Sequence, residues 1–478
     1  MSKKNLSRSA IWSVMNQSVG QGLVFIVFLV TARFVSKEAF GIMATSMLAV
    51  ELFRQILIES VGNTFLARKS PTHEDYNAGF IIIFTGGAIA ATGIFLTARP
   101  LANLFGHSEI ASTLRWVSLL LLTTGLSKMH EVWLIQNHGF KTLAIRSVTS
   151  ICIGGGIGIV LAVNGFGIES LIVQQIVTAV VSAIWLWLAS TWRPSMNIQW
   201  MKVKEIFNFC KYVSLNSTTG FISGQGDVLL SSLYLGPAAT GVYNAAKRLL
   251  TAISLVVSSG LNSVALPTLA SLSDDPDRFK NSFLKCVSLT TLFTAPLFAG
   301  LGVLSQDVIS ILMGNKWSDV APVLSILCIV GFITSFLQYS TNILLIKQKS
   351  HWITLFSFLD AAVNMALLIL IARYGILYLA FAFVLKSLFL SPILIFLSLK
   401  LLALKISNYL IAIAIPLSLA LIMAAFIFYV KILISLNAIL NIIILVPLGA
   451  GIYILLSAFL NKSSSKEALK FFGKIFHK

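Results

Sequence analysis

The stretch "GVYNAAKRLLTAISLVVSSGLNSVAL" (Gly241–Leu266) places Lys247 and Arg248 side by side in a run otherwise apolar enough to lie in lipid. A charge at membrane depth is costly, and it persists where it is paired or faces water. Asp227 lies a short way upstream in another largely apolar run. Either these groups neutralise one another, or they line a cavity that handles charged cargo. The surrounding composition decides the class: 57% of the 478 residues are hydrophobic and 11% are charged. A soluble domain carries far more charge, so the chain reads as a polytopic membrane protein. The net charge of +18 does not gather into one basic surface, which excludes nucleic acid as the partner.

Apolar runs against polar breaks give spans near 10–32, 39–60, 77–97, 110–136, 142–163 and 166–191. A second set lies near 209–232, 238–265, 281–304, 319–346, 351–372 and 375–399, followed by 406–430 and 434–460. The expected fold is therefore all-α, with 14 transmembrane helices. The opening run, preceded by Lys3, Lys4 and Arg8, is too long for a signal-peptide core and reads as an uncleaved first span. With the N-terminus inside, 23 of the 35 Lys and Arg residues fall on the cytoplasmic side and 6 outside, so both termini are expected in the cytoplasm. Arg146 is counted among the cytoplasmic residues and Lys431 among the outer ones. The longest inner connection, 191–211, reads as an amphipathic interfacial link.

The chain resembles itself at an offset of 200. Asn16, Gly20, Ala39 and Gly41 recur as Asn216, Gly220, Ala239 and Gly241. Each copy holds six spans, an even number, so both copies have the same orientation; such parallel repeats are a transporter architecture. The expected domains are a six-helix lobe at 1–195, a linker at 196–208, a second six-helix lobe at 209–400, and two further helices with a basic tail at 401–478.

Polar residues fall in stripes at helical spacing. The eighth span aligns Asn244, Arg248, Thr251, Ser258 and Asn262, with Lys247 at the edge. The seventh aligns Asn216, Thr219, Ser223 and Asp227, and the first offers Ser13, Asn16, Gln17 and Gly20. In the second, Glu51, Arg54, Gln55 and Glu59 share a side; in the fourth, Thr124, Ser127, Lys128 and Glu131 do. One such stripe is an ordinary helix interface, whereas stripes on five spans point to a water-filled central cavity between the lobes.

Particular pairs have a plain structural reading. The seventh and eighth spans form a hairpin turning at "LYLGPAA", which sets Asp227 at the depth of Lys247 and Arg248 and leaves one cation over. Asp360 and Lys386 lie near mid-depth on consecutive spans and are a further candidate pair. Glu51 with Arg54, and Lys128 with Glu131, are three apart and can pair along one helix. A spare cation in a wet cavity suits phosphate, and carboxylates able to take up a proton suit coupling to H+ or Na+. No P-loop, HExxH or GxSxG occurs, and "GGGIG" (154–158) reads as small-residue helix packing. The expectation is a transporter without cofactor or metal, not an enzyme. Cys152, Cys210, Cys286 and Cys328 are scattered and read as small apolar residues.

From "LPTLASLSDDPDRFKNSFLK" (266–285) through "LFAGLGVLSQDVISILMGNKWSDVAPVLSIL" (297–327) the chain resembles the bacterial polysaccharide exporters, the Wzx-type flippases of the multidrug/oligosaccharidyl-lipid/polysaccharide superfamily. "GDVLLSSLYLGPAATGVYNAAKRL" (226–249) is similar to that family's seventh-to-eighth span hairpin, and "TARFVSKEAFG" (31–41) to its first. The resemblance implies alternating access by two lobes in the inner membrane of a bacterium. It implies movement of undecaprenyl-pyrophosphate-linked oligosaccharide to the outer leaflet for a polysaccharide polymerase, after assembly by glycosyltransferases. Carried over by position, Arg54, Lys128, Lys247 and Arg248 would meet pyrophosphate or acidic sugars. Asn16, Gln17, Gln55, Asn216, Asn244 and Thr251 would meet sugar hydroxyls. Glu51, Glu59, Glu131, Asp227, Asp360 and Lys386 are the ion-coupling or charge-pair candidates. A monomer is expected, with membrane lipids around it. The rivals are a multidrug exporter of the same superfamily, whose cavity should be acidic, and a peptidoglycan-precursor flippase, whose cargo has the same charge. A membrane glycosyltransferase or polymerase is more distant, since the one acidic cluster, Asp274-Asp275-Asp277, reads as a solvated turn.

Overall fold

The computed structural model describes residues 3–68, 70–195, 199–272, 274–434 and 436–460, with backbone alone described at 3–18, 212, 256–264 and 266–268. Every long element among them is a helix. They are α1 (Lys3–Phe34), α2 (Lys37–Phe53), a π-helical turn (Arg54–Glu59), α3 (Ser60–Ala67), α4 (His73–Phe105), α5 (Glu109–Gln136), α6 (Phe140–Val163) and α7 (Ile168–Ala189). There follow α8 (Trp200–Ser271), α9 (Pro276–Leu312), α10 (Val320–Ile346), α11 (Ser350–Ile371), α12 (Ile376–Leu402), α13 (Ile406–Ile434) and α14 (Ala438–Leu460). Among the described residues, 11 helical segments are long and apolar enough to cross a membrane, α2 through α3 counting as one. Helix α1 and the two halves of α8 lie where the three remaining spans are expected.

Local chemistry sets the ends. Ser36 accepts a hydrogen bond from the Ala39 N–H at 3.2 Å and so caps α2. Thr72 and Asp75 form a reciprocal capping box at the start of α4, and Gly106 ends that helix in the left-handed region at φ 73°. Asp275 caps α9 ahead of Pro276, accepting from the Arg278 N–H at 3.1 Å. The acidic "DDPD" turn thus serves as a helix start.

The linker expected at 196–208 overlaps the start of α8, which begins at Trp200; residues 196–198 lie outside the described residues. The turn expected at "LYLGPAA" is made at one residue, Gly236 (φ 78°, ψ 177°), where the helical conformation is interrupted. Only glycine adopts that conformation at little cost, and Pro237 then opens the next helix.

The chain forms two compact units, Met1–Asn244 and Ala245–Lys478. In the first, α4 packs along α5, and α6 packs on both α1 and α7. The glycines of "GGGIG" permit that packing. A Cβ on Gly154 would lie 2.1 Å from Thr178 Oγ1, one on Gly155 2.6 Å from Val27 Cγ2, and one on Gly158 2.7 Å from Gln174 Cβ. In the second unit, α9 packs on α10, α13 and α14, and α12 packs on α10 and α11.

The glycine contacts separate two neighbouring substitutions. Gly154→Val must displace the Thr178 backbone, whereas Gly156 has nothing within 4 Å of an added Cβ. Gly154→Val is expected to lower the melting temperature of the detergent-solubilised protein by several degrees or to abolish its accumulation. Gly156→Val should melt within about a degree of the parent. A thermal-shift series checks the contrast.

Candidate functional site

Glu51, Arg54, Gln55 and Glu59 were expected on one side of a regular helix. The second span instead contains the π-helical turn Arg54–Glu59. A π-turn bonds residue i to i+5, so residues five apart stack along the axis. Arg54 and Glu59 are separated by that interval. In a continuous α-helix they would diverge, and the turn brings them together. Two hydroxyls satisfy carbonyls at the irregularity: Ser60 Oγ donates to Gln55 O at 2.9 Å, and Ser214 Oγ donates to Ile56 O at 2.7 Å.

Around this turn three helical segments assemble an ion-pair array. Arg54 Nε and Nη2 donate to the two Glu51 oxygens at 2.8 and 2.7 Å, a bidentate pair. Gln55 Nε2 donates to Glu51 Oε1 at 2.8 Å. Arg54 Nη1 reaches Glu59 Oε1 at 3.4 Å, and the other Glu59 oxygen accepts from Lys128 Nζ at 2.8 Å. Lys128 also lies 3.7 Å from Glu131, which lies 3.6 Å from Arg146 on α6. The order Glu51–Arg54–Glu59–Lys128–Glu131–Arg146 alternates in sign from end to end. Lys128 is 8% exposed, while the Arg54 side chain is 39% exposed and is the accessible member.

The pairs expected from spacing, Glu51 with Arg54 and Lys128 with Glu131, both form, and Glu59 adds a second carboxylate to each cation. Arg146, counted among the cytoplasmic residues, sits in the second turn of α6 and lies 3.6 Å from Glu131, a contact that no spacing rule along one helix gives.

Asp227 is fully buried, accepting from the Tyr243 hydroxyl at 2.8 Å and from the Val228 N–H at 2.9 Å. Tyr243 escaped the sequence reading because aromatic residues in an apolar run carry no polar signal. Asn216 is exposed and Asn244 half-buried. In the second unit, Lys247 is half-buried and Arg248 and Thr251 are exposed, with Thr251 Oγ1 donating to Lys247 O at 2.8 Å. The side chains of Ser13, Asn16, Gln17, Ser258 and Asn262 lie outside the described residues.

Elsewhere in the second unit, Lys386 Nζ lies 3.1 and 3.2 Å from the two oxygens of Asp360, so the pair read from the sequence forms. A further cluster was not foreseen. Asp307 on α9 accepts from Lys431 of α13 at 2.5 Å and from Asn441 of α14 at 2.9 Å, which ties the last two helices to α9. Lys431 was read as an outer-loop residue; it belongs to α13.

Lys128 is the member whose removal should be felt most. Breaking a buried pair from one side costs roughly 3–5 kcal/mol. Because Arg54 still faces Glu59 and Arg146 still faces Glu131, Lys128→Ala is expected near the lower end of that range. Adding Glu59→Gln should recover part of the loss. Melting temperatures of the single and double variants test the coupling.

Residues 30–322, more than half of the chain, match the family model described as Polysaccharide biosynthesis protein. The succinoglycan biosynthesis transport protein ExoT of Rhizobium meliloti (strain 1021) is 30% identical over 330 residues, covering 68% of this chain and 66% of that protein. About a third of that relative's length thus lies outside the match. The lipopolysaccharide biosynthesis protein WzxC of Escherichia coli (strain K12) is 20% identical over 342 residues, covering 71% of this chain and 70% of that one. Among solved structures, the lipid II flippase MurJ in an inward closed conformation superposes with TM-score 0.78 at 16% identity, covering 95% of this chain and 99% of that one. An inward-facing multidrug resistance transporter of the MATE family gives TM-score 0.58 at 14% identity over 82% of this chain and 98% of that one. The chain belongs to the polysaccharide biosynthesis protein family and has the all-helical fold of these transporters.

Proposed function

We propose that this protein is a flippase that carries lipid-linked oligosaccharide units from the cytoplasmic to the outer leaflet of a bacterial inner membrane. The observation that carries the reading is the ion-pair array, built at membrane depth in a chain of this family and centred on an arginine that remains accessible. Purely structural pairs have no need of an arginine side chain left 39% exposed. A guanidinium that binds carboxylate in two-pronged fashion binds phosphate the same way. In this reading Arg54, Lys247 and Arg248 meet the pyrophosphate or acidic sugars, and Gln55, Asn216, Asn244 and Thr251 meet sugar hydroxyls. The six-helix lobes 1–195 and 209–400 exchange access between the two faces, both termini remain in the cytoplasm, and the carrier works as a monomer. It receives cargo from glycosyltransferases and passes it to a polymerase. A proton or sodium gradient drives the cycle through carboxylates of the array, Asp227 or the Asp360–Lys386 pair.

The names of the relatives support a polysaccharide pathway over drug export. A peptidoglycan-precursor flippase shares the cargo charge, so the experiment must separate them. Deletion of the gene is expected to accumulate lipid-linked oligosaccharide on the inner leaflet while peptidoglycan synthesis continues. Replacing Lys247 and Arg248 together by Gln should abolish transport and leave inserted, folded protein. Undiminished flipping by that variant, or restored growth of a strain lacking its lipid II flippase, would count against the reading.

A further inference from the structure

Gly41 and Gly241, which stand 200 residues apart in the internal repeat, each abut the other's helix start. A Cβ on Gly41 would lie 1.7 Å from the Pro237 carbonyl oxygen and 2.5 Å from its carbon. One on Gly241 would lie 2.0 Å from the Lys37 carbonyl oxygen and 3.1 Å from Gly41 N. Pro237 is the position equivalent to Lys37 in the same register. The contact is therefore reciprocal, glycine of one repeat against the opening carbonyl of the other, which is the signature of a two-fold relation. Backbone meets backbone with no side chain between them, as small residues allow in membrane helices.

The contact stands at one end of a long seam between the second span and the first half of α8. One turn along, Thr45 Oγ1 and Ser232 Oγ are 2.6 Å apart. Ala44 and Leu48 then pack with Phe221 and Val228. Beyond the π-turn, Ser60 Oγ lies 3.1 Å from Ser217 Oγ, and the Cys210 thiol donates to Thr64 Oγ1 at 3.4 Å. The far end closes differently: Arg68 bonds Glu205 at 2.9 Å, and Lys202 reaches Thr72 Oγ1 at 2.8 Å and Asp75 at 3.2 Å. Exposed ion pairs exchange with water at little net cost. Glycine packing has no such tolerance, because one methyl group removes it.

We propose that the Gly41–Gly241 contact is a steric latch which closes one end of the transport pathway and parts once in every cycle. The proposal rests on the flippase reading only for the word cycle; the latch is a property of the closed state. Seating needs both glycines, and parting needs neither, so a side chain at either position disfavours the closed state alone. Population then moves to the form in which the Thr45–Ser232 level is open.

Two measurements on the full-length protein test it. Thr45→Cys with Ser232→Cys should form a disulfide under mild oxidation, since the two hydroxyls already touch. In vesicles, the oxidised protein is expected to flip lipid-linked oligosaccharide at least tenfold more slowly than the same protein reduced. Reductant should restore the rate. Cross-linked protein that flips at the reduced rate would overturn the latch. If the reduced protein flips no such cargo, the functional reading fails instead, and the second measurement still decides the latch. A membrane-impermeant maleimide should label Thr45→Cys slowly in the parent, and at least tenfold faster when Gly241→Leu or the milder Gly241→Ala is added. Equal labelling in all three proteins would overturn the proposal.

Discussion

The shared carboxylate of Glu59 holds the second span, α5 and, through Lys128 and Glu131, α6 in one electrostatic arrangement. Lipid offers an ammonium no hydration, so Lys128 survives at its depth because two acids face it. Glu59 can serve only because the π-turn aims it at both Arg54 and Lys128. The irregular turn, the two serines that satisfy its carbonyls and the alternating signs form one solution to a desolvation problem. Removing any part strands a charge or a carbonyl.

That solution also shapes the seam with α8. Ser214, which serves the carbonyl of Ile56, belongs to α8, so the helix that follows the linker is registered against the same irregular turn. From there the seam runs one way to backbone contact at Gly41 and Gly241 and the other way to ion pairs at Arg68 and Glu205. One end depends on the absence of side-chain atoms and the other on charges that water can replace.

Features governed by spacing along one helix were legible in the sequence. The spans follow from apolar length, and Glu51 with Arg54, and Lys128 with Glu131, pair as their three-residue spacing implies. Asp360 with Lys386 was legible because consecutive spans leave few choices of depth. Contacts that depend on how one helix is rotated against another were not: Glu59 with Lys128, Glu131 with Arg146, Asp227 with Tyr243, and Asp307 with Lys431 and Asn441. Hydropathy has no term for rotation. The π-turn was equally hidden, since its residues would all be acceptable in an α-helix. The repeat was visible as recurring glycines, but their meaning emerged only where Gly41 and Gly241 met.

The array of Glu51, Arg54, Glu59, Lys128, Glu131 and Arg146 holds equal numbers of acids and bases. The transmembrane voltage exerts about 2.3 kcal/mol per elementary charge per 100 mV on a charge crossing the field. On a balanced set moving as a body, the forces cancel. This part of the protein can therefore change position without drawing current, and any electrical work of moving it falls on charges outside the array.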